Sequence, residues 1–109
     1  MHCARISDYV LILCMHLITE AEFKRIAGGI YDDRESIIRH NPIGTREETL
    51  LWMLMSALTM YLSLNDSETP CFTGRPNASM FRDAITFILN GRMREPFDPV
   101  PYLDRFKEV

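Results

Sequence analysis

The sequence of residues 45–64, TREETLLWMLMSALTMYLSL, decides the fold. It opens with a capping box, because Thr45 and Glu48 stand at the spacing at which each side chain can bond the backbone N–H of the other. The acidic pair Glu47 and Glu48 also complements the positive end of a helix dipole. The stretch therefore predicts a central helix over residues 46–64.

Both faces of this predicted helix are apolar. On a helical wheel, one broad face collects residues that we expect to form the core: Leu50, Leu51, Leu54, Leu58, Tyr61 and Leu62. The opposite face mixes small polar residues with large apolar ones: Thr49, Ser56, Thr59, Ser63, Trp52, Met53 and Met60. A helix that is apolar all round must be covered all round, and a chain of 109 residues has few elements for that task.

Two covers for the second face follow from the sequence. The proline-rich C-terminal arm can fold over it, or another subunit can pack on it. A homodimer is favoured, since small side chains let helices approach closely and two-fold assembly is common among soluble proteins. Ordinary core packing, with methionine and tryptophan filling gaps, is the alternative. The expected interface residues are Trp52, Met53, Ser56, Thr59, Met60 and Ser63.

Three shorter helices are predicted before the central one. The first is capped at residue 7 or 8 and ends near residue 18, with a buried strand as the competing interpretation. The second opens at a capping box formed by Thr19 and Glu22, and we expect the glycines at residues 28–29 to break it. The third covers residues 31–40.

After the central helix, a polar loop leads to another helix, which Asn77 or Ser79 caps and residues 90–91 end. Its apolar residues recur at helical spacing: Phe81, Ala84, Ile85, Ile88 and Leu89. The tail is proline-rich yet too apolar to be left in solvent, so we expect it to dock. The predicted fold is all-α, a compact bundle of four or five helices around a central hydrophobic helix. Residues 1–95 form the helical domain, and residues 96–109 form a C-terminal arm packed on that domain or on a partner subunit.

The composition excludes several classes of protein. Hydrophobic residues make up 47% of the chain, which argues against disorder, and a net charge of −3 argues against a protein that coats nucleic acid. Three cysteines, far apart, predict neither a disulfide framework nor a zinc site, and they fit the reducing cytoplasm. No charge-free stretch reaches the roughly 20 apolar residues that cross a bilayer, so we expect no membrane span.

One loop has a pattern that favours a ligand. It immediately precedes a predicted helix, whose free N–H groups and dipole attract anions, although a capped turn is the alternative. The expected anion-binding residues are Thr73, Gly74, Arg75 and Asn77. The histidines, cysteines and acidic residues lack the spacing of a metal site. The partners of a Cys–His dyad, for instance Cys71 with His40, meet only in the fold, and nothing in the sequence selects one, so we assign no catalytic residue, metal or cofactor.

These observations favour a small cytoplasmic interaction or regulatory module that is non-catalytic and acts as a homodimer. A helix-turn-helix reader of nucleic acid is the alternative, with residues 31–40 as the recognition helix, but Asp32, Asp33 and Glu35 would repel phosphates there. An all-α enzyme, or a binder of a phosphate-bearing small ligand at residues 73–77, ranks behind it.

Overall fold

Five α-helices follow one another within residues 16–109, the part of the chain that the computed structural model describes. They are α1 (Glu20–Asp32), α2 (Arg34–His40), α3 (Arg46–Tyr61), α4 (Ala78–Leu89) and α5 (Val100–Asp104). Two short 3₁₀ turns, Asp66–Glu68 and Arg105–Glu108, complete the helical structure of this part of the chain. The predicted all-α fold is confirmed. None of the described helices combines the length and apolar character that crossing a membrane requires.

The helices begin where the capping residues predict. At α1, Thr19 Oγ1 accepts from the Glu22 N–H at 3.1 Å, and the Glu22 carboxylate accepts from the Thr19 N–H at 3.0 Å. Thr45 and Glu48 form the same reciprocal pair at α3, with distances of 3.1 and 2.9 Å. The Asn77 side chain caps α4. Each cap satisfies backbone donors that a helix leaves unpaired in its first turn.

The predicted helix break at residues 28–29 is wrong, because α1 continues through both glycines to Asp32. Each glycine costs the helix about 1 kcal/mol relative to alanine. Burial of Ala27 and Ile30 on the inner face of α1 outweighs that cost. As a result α2 begins only at Arg34, and the turn that the helix-turn-helix interpretation needs at residues 28–29 is not there.

The N-terminal prediction is tested only at its end. Ile18 forms an isolated bridge with Met93, and residues 16–19 are not helical, so the predicted end of the first helix near residue 18 is wrong. The rest of that predicted helix, up to residue 15, lies outside the described residues.

The central helix ends at Tyr61, earlier than predicted. The Ser63 N–H donates to the Met60 carbonyl and the Leu64 N–H donates to the Thr59 carbonyl, both at 3.1 Å. This pair of bonds is a Schellman motif, whose left-handed position is usually glycine; here Ser63 occupies it, with φ of 53°. Ser63 therefore lies at the cap of α3 and not on its helical face.

The core forms around α3, which contacts α1, α2, α4 and the C-terminal 3₁₀ turn. The predicted inner face is confirmed: its leucines are buried, and Tyr61 is half-buried with its hydroxyl donating to the Glu22 carboxylate. Those leucines are Leu50, Leu51, Leu54, Leu58 and Leu62. Helix α4 adds the buried stripe that its spacing predicts, Phe81, Ala84, Ile85, Ile88 and Leu89. Apolar burial on this scale is the main force that holds such a small fold together.

A short backbone tie joins the start of the described chain to the segment after α4. The Ile18 N–H donates to the Arg92 carbonyl at 2.8 Å, and the Arg94 N–H donates to the Ile18 carbonyl at 3.0 Å. Next to this tie, the Glu95 carboxylate accepts from the Glu20 N–H at 2.9 Å, which places a negative charge at the positive end of α1.

The C-terminal arm packs against α1 and α3 of the same chain. The Phe23 ring on α1 lies edge-on to Phe97 and Tyr102, with ring centroids 5.2 and 6.0 Å apart. Further along, Leu103 and Phe106 are buried in the core. The division between a domain over residues 1–95 and an arm stays a prediction.

One arginine holds three elements together. Arg82 on α4 pairs with Glu47 on α3 through one nitrogen and with Asp104 on α5 through the other, at 2.9 Å for the second contact. The hydrogen bond from Arg82 lowers the pKa of Asp104, and contacts with Lys107 add to the effect. Because the charged carboxylate is the form that Arg82 binds, the fold favours deprotonated Asp104.

The two kinds of glycine position should respond oppositely to alanine. Gly29→Ala should raise the free energy of unfolding by roughly 0.5–1 kcal/mol, since a Cβ there meets nothing within 4 Å and the helix gains propensity. Gly91→Ala should lower it by about 1 kcal/mol, because its φ of 77° is left-handed. Urea denaturation measures both, and a destabilised Gly29→Ala variant would mean that α1 does not run through residues 28–29.

The Arg82 cluster predicts a pH-dependent contribution to stability. A lowered pKa means that the Asp104 contribution is fully present above the usual aspartate pKa of 3.8 and disappears as the pH falls through the lower folded-state pKa. The melting temperature of Asp104→Asn should thus lie below that of the original chain near neutral pH and converge with it in acid. A gap that is the same at both pH values would show that the Asp104 charge does not stabilise the fold.

Candidate interaction surface

The outer face of α3 is the strip that carries the residues expected to form an interface. Met60 is 80% exposed, while Trp52, Met53, Ser56 and Thr59 are half-buried. Ser63 is exposed but sits at the helix cap, for the reason given above. The structure thus brings five of the six predicted residues onto one side of α3 and displaces the sixth to its end.

The polar groups on the outer face need few hydrogen bonds from a partner. The Thr59 hydroxyl donates to the Met55 carbonyl at 2.8 Å, so its hydrogen bond is satisfied within the helix. Ser56 lies one turn from both Trp52 and Met60, and its small side chain leaves a gap between two large ones. No charged residue lies on the strip. The outer face is therefore a mostly apolar surface on which large and small side chains alternate.

The C-terminal arm does not cover this strip. Asp104 of the arm reaches Arg82, which in turn pairs with Glu47 on the same side of α3 as the buried Leu54. The arm therefore packs around the inner side of the helix. The sequence suggests two covers for the outer face, the arm and a second subunit. With the arm in place, Met60 is still 80% exposed.

The predicted anion-binding residues lie together at the start of α4. Asn77 caps the helix, and Thr73, Gly74 and Arg75 are exposed before it. Phe72 anchors this loop, with its ring centroid 5.3 Å from that of the buried Phe81. The cap and the left-handed φ of 74° at Gly74 are both features of an ordinary turn. Anion binding here stays a prediction.

Two clefts flank one exposed aromatic residue that the sequence interpretation did not single out. Phe87 on α4 is 64% exposed and lines both a cleft of about 560 Å³ and one of about 340 Å³. The larger cleft contains two charged residues, Arg94 and Glu95, and the Glu95 carboxylate is already bonded to the start of α1. The signal for Phe87 was available, because this phenylalanine falls outside the buried stripe of α4.

Among the described residues, three carboxyl groups have lowered pKa values, and each has a structural cause. The pKa of Glu22 is lowered by its hydrogen bonds within the capping box. The pKa of Glu68 is lowered first by the backbone N–H of Asn65 and then by Arg92. Asp104 owes its shift to Arg82, as described above. Within residues 16–109, no three His, Cys, Asp or Glu side chains are grouped so as to hold a metal ion.

Comparison of the chain with protein-family models, with curated proteins and with solved structures finds no match.

Proposed function

We propose that the chain is a non-catalytic interaction or regulatory module that acts as a homodimer, with the outer face of α3 as its interface. The observation that carries this proposal is the exposure of Met60, at 80%, on an uncharged strip of the helix around which the core is built. Interfaces are enriched in methionine and aromatic residues and depleted of charge at their centres, and the outer face has both properties.

The shape of the outer face suits a two-fold axis. In a two-fold interface the same patch meets itself, so a strip with both a projection and a gap can be self-complementary. Trp52 and Met60 are the projections, and Ser56 between them is the gap. Ridges of one helix packed into grooves of its partner would then bury the apolar atoms that a single protomer exposes.

The clefts and the cysteines support the non-catalytic and cytoplasmic parts of the proposal. An active site requires titratable groups that converge in a cavity with pKa values tuned by it. In the described residues, the lowered pKa values of Glu22, Glu68 and Asp104 arise from helix caps and ion pairs, and of the three only Glu68 lines one of the two clefts, where its carboxylate is paired with Arg92. Cys71 is an exposed free thiol, a state that the reducing cytoplasm maintains.

A charge placed on the outer face tests the dimer. Met60→Asp should raise the dissociation constant of the dimer at least about tenfold, because burial of an unpaired carboxylate is costly. Val100→Asp is the matched control, since Val100 is also an exposed apolar residue but lies on α5. Light scattering coupled to size-exclusion chromatography gives the mass of each variant, and circular dichroism verifies the fold.

Two results would count against the proposal. One is an original chain that stays monomeric at all concentrations up to about 100 µM, well above the affinity range of specific assemblies. The other is a folded Met60→Asp variant with the same dimer mass and concentration dependence as Val100→Asp, which would place the interface elsewhere.

A further inference from the structure

We propose that Arg34 and Arg105, which both stack on the ring of Tyr31, bind a phosphate monoester. Tyr31 lies in the last turn of α1, Arg34 begins α2, and Arg105 begins the C-terminal 3₁₀ turn. These three side chains are called the Tyr31 cluster below. The proposal does not rest on the homodimer, because none of the three residues belongs to the outer face of α3.

The first observation is that two positive charges meet at one aromatic ring. The Arg34 Cζ atom lies 4.2 Å from the centroid of the Tyr31 ring, and the Arg105 Cζ atom lies 4.1 Å from it. Cation–π contacts occur roughly once per 70–80 residues, so one such contact is ordinary but two on the same ring are not. Because the two guanidinium groups repel each other, an anion that both can bind would stabilise the arrangement.

The second observation is that no carboxylate of the described chain supplies this anion. Within residues 16–109, neither arginine of the Tyr31 cluster takes part in an ion pair. Two acidic neighbours in sequence pair elsewhere, Glu35 with Arg46 and Asp104 with Arg82. In this part of the chain, the two guanidinium charges are therefore uncompensated.

The third observation is that contacts with the rest of the fold already hold the Tyr31 cluster in place. One nitrogen of Arg34 donates to the Tyr31 carbonyl at 2.8 Å. The Tyr31 ring lies against buried Phe106, with the ring centroids 6.3 Å apart. Ordering of these side chains therefore occurs mainly on folding, which lowers the entropic cost of binding a ligand.

The spacing of the two arginines suits a single phosphate group. Each guanidinium carbon lies within 4.2 Å of the same ring centroid, so the two carbons are at most twice that distance apart. Charge-assisted hydrogen bonds place the phosphorus of a bound phosphate about 4 Å from a guanidinium carbon, so two arginines that share one phosphate are up to about 8 Å apart. A phosphate at the edge of the Tyr31 ring can thus accept from both arginines after small side-chain rotations.

The surrounding charges favour a monoester over other phosphate ligands. A phosphate monoester carries about two negative charges near neutral pH, which matches two guanidinium groups, whereas a carboxylate carries one. Asp32 and Asp33 follow Tyr31 in the sequence and are exposed, so they would repel the further phosphates of a nucleic acid or a polyphosphate. The ligand that fits is a single phosphate with positive charges beside it.

Binding of a phosphopeptide to the full chain tests the proposal. The probe is a short fluorescent peptide with one phosphoserine between two lysines, and anisotropy gives its Kd at constant ionic strength. Arg34→Gln and Arg105→Gln should each raise this Kd at least about tenfold, because each removes a charge-assisted bidentate contact. Arg75→Gln is the matched control, since Arg75 is an exposed arginine on the loop where the sequence predicts anion binding.

Two further comparisons keep the test independent of effects on folding. Circular dichroism verifies the fold of each variant, and Arg105→Lys keeps the charge but loses the planar fork, so it should raise the Kd several-fold. The same peptide with an unmodified serine should bind at least about tenfold more weakly than the phosphopeptide. The Met60→Asp background should leave the Kd of the phosphopeptide unchanged, because the Tyr31 cluster and the outer face are separate surfaces.

Three results would overturn the proposal. They are equal affinity for the two peptides, no saturable binding of the phosphopeptide up to about 1 mM, and an effect of Arg75→Gln as large as that of Arg34→Gln or Arg105→Gln. Competition with free phosphoserine then identifies the source of the phosphate. A peptide that binds at least about tenfold more tightly than free phosphoserine supports a phosphorylated protein partner, and equal affinities support a small phosphate-bearing ligand at the same site.

Discussion

The structure depends on one constraint, which is that α3 is apolar around its whole circumference and cannot stand in water on every side. On the inner side of α3, the fold removes the leucines from water by packing α1, α2, α4 and the C-terminal turn around them. On the outer side, the Thr59 hydroxyl donates to a carbonyl of its own helix, and Met60 remains exposed. The outer face is thus the side of α3 that the other elements of the chain do not fully cover. In our proposal, a second copy of the chain covers it.

Polar contacts and apolar burial together fix the position of the C-terminal arm on α3. The bridge at Ile18 and the Glu95 carboxylate join the start of the described chain to the segment before the arm, and the Arg82 cluster joins the arm to α3 and α4. The ion pairs of Arg82 are partly shielded from water, whereas the hydrogen bond between the Glu20 N–H and Glu95 is exposed, and both kinds of contact add geometric specificity to a core held mainly by apolar burial. With the packing of Phe97 and Tyr102 on Phe23, the Arg82 cluster holds the arm against α1 and α3 on the inner side.

Local signals made much of the fold predictable. The capping boxes at Thr19 and Thr45 depend on neighbouring residues only, and the buried stripes of α3 and α4 follow from helical spacing, so these features were read correctly. The glycine pair at residues 28–29 was misread because packing of α1 overrides a local propensity of about 1 kcal/mol per residue. The left-handed Ser63 was missed since glycine is the usual signal for that position. Where the arm would pack depends on contacts between distant segments that spacing does not encode, whereas the exposure of Phe87 follows from its place outside the buried stripe of α4.

Hydroxyl-radical footprinting of the original chain at increasing protein concentration tests the central claim most directly, because it reports the solvent contact of individual side chains. In a lone protomer Met60 is 80% exposed and should oxidise rapidly. Our account predicts that Met60 oxidation slows several-fold as the concentration rises through the dimerisation range, while oxidation of Phe87 does not change. Rapid oxidation of Met60 at every concentration would contradict the account, since the outer face of α3 would then stand uncovered in water.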